Sequence, residues 1–180
     1  MNHTRYVLLD RDGVINADSD DYIKSAEEWQ PIPGSLEAIA LLNQQGFKVA
    51  IFTNQSGLAR GLFNLDTLNA MHTKMQRLLA EQGGTIEAIY YCPHAPKDCC
   101  TCRKPEPGLL LRFSEDFQTS LEDLYFVGDA WKDVEAALAV HAKPLLVKTG
   151  KGERTLADHP EVNIPIFEDL YAAARYIIET

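Results

Sequence analysis

Short runs of apolar residues alternate along the chain with segments in which apolar residues recur at helical spacing. The short runs predict buried β-strands at residues 6–9, 48–52, 86–91, 124–127 and 144–147. The periodic segments predict α-helices at residues 36–45, 65–82, 108–117, 133–140 and 167–179. Strands that are apolar throughout and alternate with helices are typical of a parallel sheet covered on both faces. We therefore predict the α/β class, with a doubly wound parallel sheet in a single domain over residues 1–180.

Local signals place several helix ends. Ser35 is predicted to cap the first helix and Gly46 to end it, and Asn64 is predicted to cap the second helix. Pro107 is expected near the first turn of the third helix. The segment 11–33 is polar, irregular and longer than an ordinary connection, which indicates a functional loop.

Composition and charge exclude several classes of protein. The chain has 180 residues, enough to bury a core, and a net charge of -9, which argues against a nucleic-acid partner. No apolar run approaches the roughly 18 residues of a membrane helix. The apolar run after residues 1–5 is shorter than the roughly 7–15 residues of a secretory signal. We expect a cytoplasmic protein with no membrane partner, and a monomer.

Polar side chains follow the predicted strands, at the edge where a doubly wound sheet binds its ligands. These residues are Asp10, Asp12, Thr53, Lys104, Asp129 and Asp133, with Lys104 following the third strand through a cysteine-rich loop. Taken singly, an aspartate at a strand end is more often a turn former or a helix cap. Together and in this order, they predict one site that combines carboxylates, a hydroxyl group and a lysine.

The same residues carry a resemblance to a known superfamily. Asp10-Arg11-Asp12-Gly13-Val14, Thr53, Lys104 and Gly128-Asp129 with Asp133 resemble the four ordered motifs of the haloacid dehalogenase superfamily of phosphohydrolases. The resemblance covers most of the chain and implies a Rossmann-like sheet of that type. The segments between the motifs are too short for a cap domain, so we expect a capless protein with an open site.

The resemblance also implies roles for these residues. Mg²⁺, which prefers oxygen ligands, would be held by the Asp10 carboxylate, the Asp12 main-chain oxygen and the Asp129 carboxylate, with Asp133 orienting the site. Asp10 would be the nucleophile and form an aspartyl-phosphate. Asp12 would protonate the leaving oxygen and then deprotonate the attacking water. The remaining two residues, Thr53 and Lys104, would hold the phosphate oxygens.

All four cysteines fall in the loop 92–105, together with His94. Clustered cysteines in a protein with no sign of secretion indicate a metal site rather than disulfides. Three sulfurs and one nitrogen would form the closed tetrahedral arrangement of structural zinc. The spacing alone leaves two choices open for the later pair of ligands, Cys99 with Cys102 or Cys100 with Cys102.

The cysteine loop resembles the zinc loop of two families of that superfamily, the D-glycero-D-manno-heptose 1,7-bisphosphate phosphatases and the histidinol-phosphate phosphatases. Both place Cys-x-Cys directly before Arg-Lys-Pro, as in residues 100–105. The match implies a structural zinc with one histidine and three cysteine ligands, leaving Cys99 outside the site. The implied ligands are Cys92, His94, Cys100 and Cys102.

Several further runs resemble the heptose family in particular, namely residues 53–61, 90–94, 103–108 and 147–152. This resemblance implies that the 7-phosphate of the small-molecule sugar bisphosphate is removed, giving heptose 1-phosphate for nucleotide-heptose synthesis. The implied substrate contacts are Asp18, Ser19, Asp20, Asp21, Tyr22, Asn54, Gln55, Ser56 and Arg103. One departure is Ala130, which stands directly after Asp129 where the family has a lysine.

Two alternatives stay open from the sequence. The first is hydrolysis of histidinol phosphate or of another small sugar phosphate. The second is a zinc-braced phospho-acceptor or interaction domain without catalytic activity, against which Asp12 argues because a signalling acceptor needs no acid/base residue. Trp29 is expected to pack in the core, and His72, which has no partner pattern, is interpreted as a surface or satisfied residue.

Overall fold

The computed structural model describes residues 3–180. Met1 and Asn2 lie outside the described residues. They belong to the N-terminal segment from which we predict that the chain has no secretory signal. The strands are β1 (Arg5–Leu9), β2 (Phe47–Asn54), β3 (Ala88–Cys92), β4 (Tyr125–Gly128), β5 (Lys143–Val147) and β6 (Ile166–Phe167). The helices are α1 (Ser35–Gln44), α2 (Leu65–Glu81), α3 (Gly108–Phe117), α4 (Trp131–Ala139), α5 (Gly152–Asp158) and α6 (Leu170–Glu179).

The strands form one parallel sheet in the order β3-β2-β1-β4-β5-β6, which confirms the predicted doubly wound sheet. The chain builds outward from β1 to β3, then returns to place β4 on the other side of β1. This return creates a switch point between β1 and β4, where such sheets bind ligands. Leu9 pairs with Val127 there, so the next residues, Asp10 and Gly128, leave the sheet side by side.

Both faces of the sheet are buried, as the uninterrupted apolar strands predict. In β1, Val7 and Leu9 belong to one hydrophobic cluster, which also contains residues of α1, α2 and α6. Tyr6 and Leu8 belong to the opposite cluster, with residues of α3 and α4. The prediction for Trp29 is confirmed, because its side chain is fully buried in the first cluster.

Two features of the C-terminal part and one helix cap differ from the predictions. Helix α5 and strand β6 were not predicted, since both are short and lie in a polar stretch without clear periodicity. The predicted last helix consequently loses Phe167 to β6 and begins at Leu170, with Asp169 as its cap. The cap prediction for Ser35 is wrong: Gly34 precedes the helix in a left-handed conformation, and Ser35 is its first residue. The Ser35 hydroxyl instead donates to the Val14 carbonyl at 2.7 Å.

The connections around the site are short. Between β1 and β2 the chain forms one loop and α1, and between β2 and β3 it forms one turn and α2. The described residues thus contain no cap domain, in agreement with the prediction. Within residues 3–180, no helix is both long and apolar enough to cross a membrane.

Candidate active site

A polar cleft of about 180 Å³ opens at the carboxyl edge of the sheet, beyond β1, β2 and β4. It contains most of the residues that the sequence predicts for catalysis and substrate binding. Its lining comprises Asp10, Asp12, Asp18, Ser19, Asp20, Tyr22, Ile23, Thr53, Asn54, Gln55, Ser56, Arg103, Asp129, Ala130, Lys132 and Lys151. Of the predicted substrate contacts, Asp21 alone is not part of this lining.

Lys104 is not part of this lining; it is buried behind Asp10, between two carboxylates. Its Nζ lies 3.0 Å from Asp10 Oδ1 and 2.7 Å from Asp133 Oδ1, and it donates to the Phe52 carbonyl at 2.8 Å. Burial alone would lower the pKa of Lys104, but the charges of Asp10 and Asp133 outweigh it and raise the pKa above its ordinary value. Lys104 is therefore a permanent positive charge beside Asp10.

Three buried carboxylates crowd around this single lysine. Ligand oxygens of Asp10, Asp129 and Asp133 all lie within 4.8 Å of one another. Burial, reinforced by Asp133, raises the pKa of Asp10 to about 7. Burial and the charge of Asp10 likewise raise the pKa of Asp129 well above its ordinary value. A divalent cation with oxygen ligands would relieve this repulsion, so the donor set fits Mg²⁺.

Asp133 differs from the other two carboxylates because both of its oxygens have hydrogen-bond partners. Oδ1 accepts from Lys104, and Oδ2 accepts from the backbone amides of Asp129 and Ala130, each at 3.2 Å. Burial would raise the pKa of Asp133, but the charge of Lys104 holds it below its ordinary value. These contacts suit a group that orients Lys104 and the β4–α4 turn.

Asp129 is held by close packing of two glycines. Its Oδ2 accepts from the Lys151 amide at 2.8 Å. A Cβ atom on Gly13 would lie 2.0 Å from this oxygen, and one on Gly150 would lie 2.4 Å from it. Both glycines also have positive φ angles. The position of Asp129 thus depends on two loops, each of which contacts Asp129 through a glycine and so leaves room for its carboxylate.

The Gly13→Ala substitution is expected to displace Asp129 and to lower catalytic activity about 100-fold, as misplacement by about 1 Å can do. The expected loss has two causes, the clash of the new Cβ with Oδ2 and the strain of an alanine at a φ of 84°. Gly61→Ala is the matched control, because Gly61 has a φ of 71° but nothing within 4 Å of an added Cβ. Similar kcat/KM values for the two variants would contradict this account of Asp129.

Asp12 follows Asp10 by two residues, and hydrogen bonds fix its carboxylate. Its Oδ1 accepts from Nε and Nη2 of Arg11 at 2.9 and 2.7 Å and from Asn16 Nδ2 at 2.9 Å. Its Oδ2 accepts from Gln55 Nε2 at 3.1 Å. Burial would raise the pKa of Asp12, but the Arg11 guanidinium and these hydrogen bonds hold it below its ordinary value.

Two amide side chains at the end of β2 form hydrogen bonds to residues of the other predicted catalytic segments. Asn54 Nδ2 donates to the Lys104 carbonyl at 3.1 Å, and the Lys104 amide donates to Asn54 Oδ1 at 3.0 Å. Gln55 Nε2 donates to Thr53 Oγ1 at 2.9 Å as well as to Asp12. Asn54 and Gln55, predicted as substrate contacts, therefore also position catalytic candidates.

The loop after β1 contacts α5 at the rim of the cleft. Asp18 lies 3.6 Å from Lys151, and Asp20 lies 3.4 Å from Arg154. The sequence analysis assigned no role to Lys132 or Lys151, although both line the cleft. Lys151 follows β5, so the strand-end rule could have identified it, whereas Lys132 lies within α4.

The cysteine loop brings three sulfurs and one nitrogen together. Cys92, His94, Cys100 and Cys102 offer ligand atoms that all lie within 4.8 Å of one another. The Sγ atom of Cys102 lies 2.9 Å from Sγ of Cys92 and 3.7 Å from Sγ of Cys100. Zn–S bonds of about 2.3 Å in a tetrahedron separate the sulfurs by about 3.8 Å. The two distances from Cys100 match that value, at 3.6 and 3.7 Å, whereas Cys92 and Cys102 lie closer together than a bound zinc ion would hold them. The type and number of the donor atoms fit zinc. Cys99 is exposed and lies outside this cluster.

Comparison with known proteins gives consistent similarities. Residues 8–158 match the family model described as polynucleotide kinase 3 phosphatase. The D-glycero-beta-D-manno-heptose-1,7-bisphosphate 7-phosphatase of Pseudomonas putida is 57% identical over 97% of this chain and 99% of its own length. The protein of that name from Neisseria meningitidis is 44% identical, over 97% of this chain and 95% of its own.

A solved structure agrees in fold. The D,D-heptose 1,7-bisphosphate phosphatase from B. bronchiseptica, complexed with magnesium and phosphate, superimposes with a TM-score of 0.95 and 46% identity. The match covers 97% of this chain and 98% of that chain. These similarities confirm the resemblance that the motifs indicate. The chain belongs to the heptose-1,7-bisphosphate 7-phosphatase family of the haloacid dehalogenase superfamily and is a phosphoric monoester hydrolase.

Proposed function

We propose that this chain is a magnesium-dependent phosphatase that removes the 7-phosphate of D-glycero-D-manno-heptose 1,7-bisphosphate and releases heptose 1-phosphate. The observation that supports it best is the buried cluster of Asp10, Asp129 and Asp133 around Lys104, at the base of a polar cleft. Relatives of that name match nearly the whole chain, and one was solved with magnesium and phosphate.

In the first step, an oxygen of Asp10 attacks the phosphorus atom, and the bond to the sugar oxygen breaks. Asp12 gives a proton to that oxygen, so the sugar leaves as an alcohol. Because Arg11 favours the ionised form of Asp12, Asp12 first takes this proton from the monoanionic phosphate ester. The proton that Asp12 takes from water in the second step then leaves with the product phosphate, so Asp12 is ionised again at the end of the cycle. Lys104 and Thr53 stabilise the charge that develops on the phosphoryl oxygens.

In the second step, Asp12 takes a proton from water, and the water oxygen attacks the phosphorus of the aspartyl-phosphate. The bond between phosphorus and Asp10 breaks, which regenerates the carboxylate and yields inorganic phosphate. Asp10, the Asp12 main-chain oxygen and Asp129 would hold Mg²⁺, which supplies positive charge that screens the two anions. Asp133 keeps Lys104 in place during both steps.

The cleft suits a substrate with polar groups along its length and a second anion. Carboxylate, hydroxyl and amide side chains on the rim can bind sugar hydroxyls, namely Asp18, Ser19, Asn54, Gln55 and Ser56. Arg103, Lys132 and Lys151 add positive charge on the lining, where a second phosphate could bind. Such charge has no evident use for histidinol phosphate, whose other end is cationic.

We further propose that Cys92, His94, Cys100 and Cys102 bind a structural zinc ion. A closed set of four protein ligands leaves no open position for catalysis. The site lies directly before Arg103 and Lys104, and the Arg103 amide donates to Cys100 Sγ at 3.3 Å. The bound ion would therefore brace the segment that presents both cations to the phosphate.

Phosphate release with Mg²⁺ should be measured on both anomers of the heptose bisphosphate and on histidinol phosphate. We expect kcat/KM to be at least 100-fold higher for one heptose anomer than for histidinol phosphate, because only the bisphosphate uses both charged regions. The relatives' names specify the β anomer. Hydrolysis of histidinol phosphate in preference to both anomers would overturn the substrate assignment while leaving the reaction class intact.

A further inference from the structure

Arg11 lies between Asp10 and Asp12 in the sequence, but its side chain does not line the cleft. It is fully buried, with 0% exposure. Two of its nitrogens, Nε and Nη2, donate to Oδ1 of Asp12. Burying a guanidinium is costly unless its donors find acceptors, so the position of Arg11 depends on the partners around it.

The remaining nitrogen of this guanidinium points to α2. Nη1 lies 3.2 Å from Nε2 of His72 and 3.7 Å from Sδ of Met71. A guanidinium can only donate, so Nε2 of His72 is the acceptor and the imidazole is neutral. The surroundings favour that form, since burial and then the charge of Arg11 lower the pKa of His72 to about 4.

The two oxygens of Asp12 have unequal surroundings. Oδ1 receives the two Arg11 nitrogens and Asn16 Nδ2, whereas Oδ2 receives only Gln55 Nε2. Oδ2 is therefore the oxygen with spare capacity for the proton that passes to the leaving group. The orientation of the carboxylate, and with it the direction of Oδ2, depends on how Arg11 is held.

We propose that His72 is a positioning residue for Asp12, which it orients through Arg11. This inference rests on the proposed function, in which Asp12 is the general acid and base. By accepting from Nη1, His72 fixes the rotation of the guanidinium, so that the Nε–Nη2 edge holds Oδ1 and leaves Oδ2 for the substrate. Without His72, the only remaining acceptor for Nη1 is the Met71 sulfur, which is weak. The Arg11 side chain would then rotate and bind other acceptors.

The test compares esters that differ in their need for an acid. An alkyl phosphate needs a proton on its leaving oxygen, whereas 4-nitrophenyl phosphate releases a stable anion and does not. The quantity measured is kcat/KM, which reports transfer to Asp10 and not the later hydrolysis. For His72→Leu, we expect the loss on the alkyl ester to exceed that on the aryl ester at least tenfold.

The His72→Gln variant should bring the ratio of kcat/KM on the alkyl ester to kcat/KM on the aryl ester most of the way back to the wild-type value. The reason is that its amide oxygen can accept from Arg11 in place of Nε2. The His72→Asn side chain is as polar as that of His72→Gln but too short to reach Arg11, so its ester ratio should resemble that of His72→Leu. The comparison of Asn with Gln therefore tests the inference even if His72→Leu does not fold. Met75→Ala is the matched control: it removes a buried side chain of the same helix that has no polar contact with Arg11. It should lower stability and leave the ester ratio unchanged.

Equal losses on both esters in every folded His72 variant would overturn the inference and leave His72 a purely structural residue. A shift in the ratio for Met75→Ala as large as that for His72→Asn would also overturn it. Asp12→Asn serves as the reference for the proposed function. If that variant kept wild-type activity on the alkyl ester, the assignment of Asp12 would fail, which is a different result from equal losses in the His72 series.

Discussion

Asp10→Asn is expected to reduce phosphate release from the heptose bisphosphate by about four orders of magnitude or more, the scale seen when a nucleophile is removed. The asparagine amide keeps the shape of the side chain but cannot attack phosphorus. It also removes one of the negative charges that would hold the metal. The measurement is kcat/KM with saturating Mg²⁺, and residual activity above one-tenth of the wild-type value would contradict the role of Asp10.

The same variant is expected to be at least as stable as the wild type in metal-free buffer. Burial, reinforced by the charge of Asp133, raises the pKa of Asp10 to about 7, so its ionised form costs stability at neutral pH. Because the pKa of Asp10 rises from 3.8 to about 7 on folding, this carboxyl lowers stability progressively as the pH rises from about 4 to about 7. An unchanged or higher melting temperature would show that the loss of activity is not caused by unfolding. Asp66→Asn, at an exposed position of α2, is the control for activity.

Cys102→Ser is expected to lose bound zinc and to lower the melting temperature by about 10 °C, which corresponds to several kcal/mol in a chain of this size. Cys102 lies within hydrogen-bond distance of the other three members of the cluster, with His94 Nδ1 at 3.2 Å. Activity should fall as well, because Arg103 and Lys104 follow directly in the chain. Zinc content, thermal unfolding and kcat/KM are the three measurements.

Cys99→Ser is the matched control, since Cys99 belongs to the same loop but is exposed and lies outside the cluster. It should retain one zinc ion per chain, the wild-type melting temperature and full activity. If zinc content fell equally in both variants, the ligand assignment would be wrong. If Cys102→Ser lost zinc but kept its stability and activity, the bracing role proposed for the ion would be wrong.

The parts of the fold that carry a strong periodic signal were predictable from the sequence. The central strands are apolar on both faces, and Asn64 caps α2 by accepting from the Thr67 amide, as predicted. Strand β6 and helix α5 were not predicted, because two residues of strand and a short polar helix gain their stability from tertiary packing. Ser35 failed as a cap because Val14, distant in sequence, accepts from its hydroxyl.

The candidate site likewise contains residues that the sequence could place and contacts that it could not. Residues at the ends of strands could be placed together, because parallel strands end at one edge of the sheet. The interpretation of His72 as a surface or satisfied residue was incomplete: it is buried, and its partner is Arg11. No spacing rule links a residue in a β1 loop to one in the middle of α2, so this contact requires the structure.

The meeting of Gly13, Asp129 and Gly150 has a consequence for how the molecule forms. These residues come from loops after β1, β4 and β5, and the Thr149 hydroxyl donates to the Gly13 carbonyl across 136 positions of sequence. Contacts of such long range form late, since the intervening chain must first be ordered. During synthesis, β1 and β2 can pair while the second half of the sheet is still missing. The catalytic centre can therefore form only after the strands of the second half have joined the sheet.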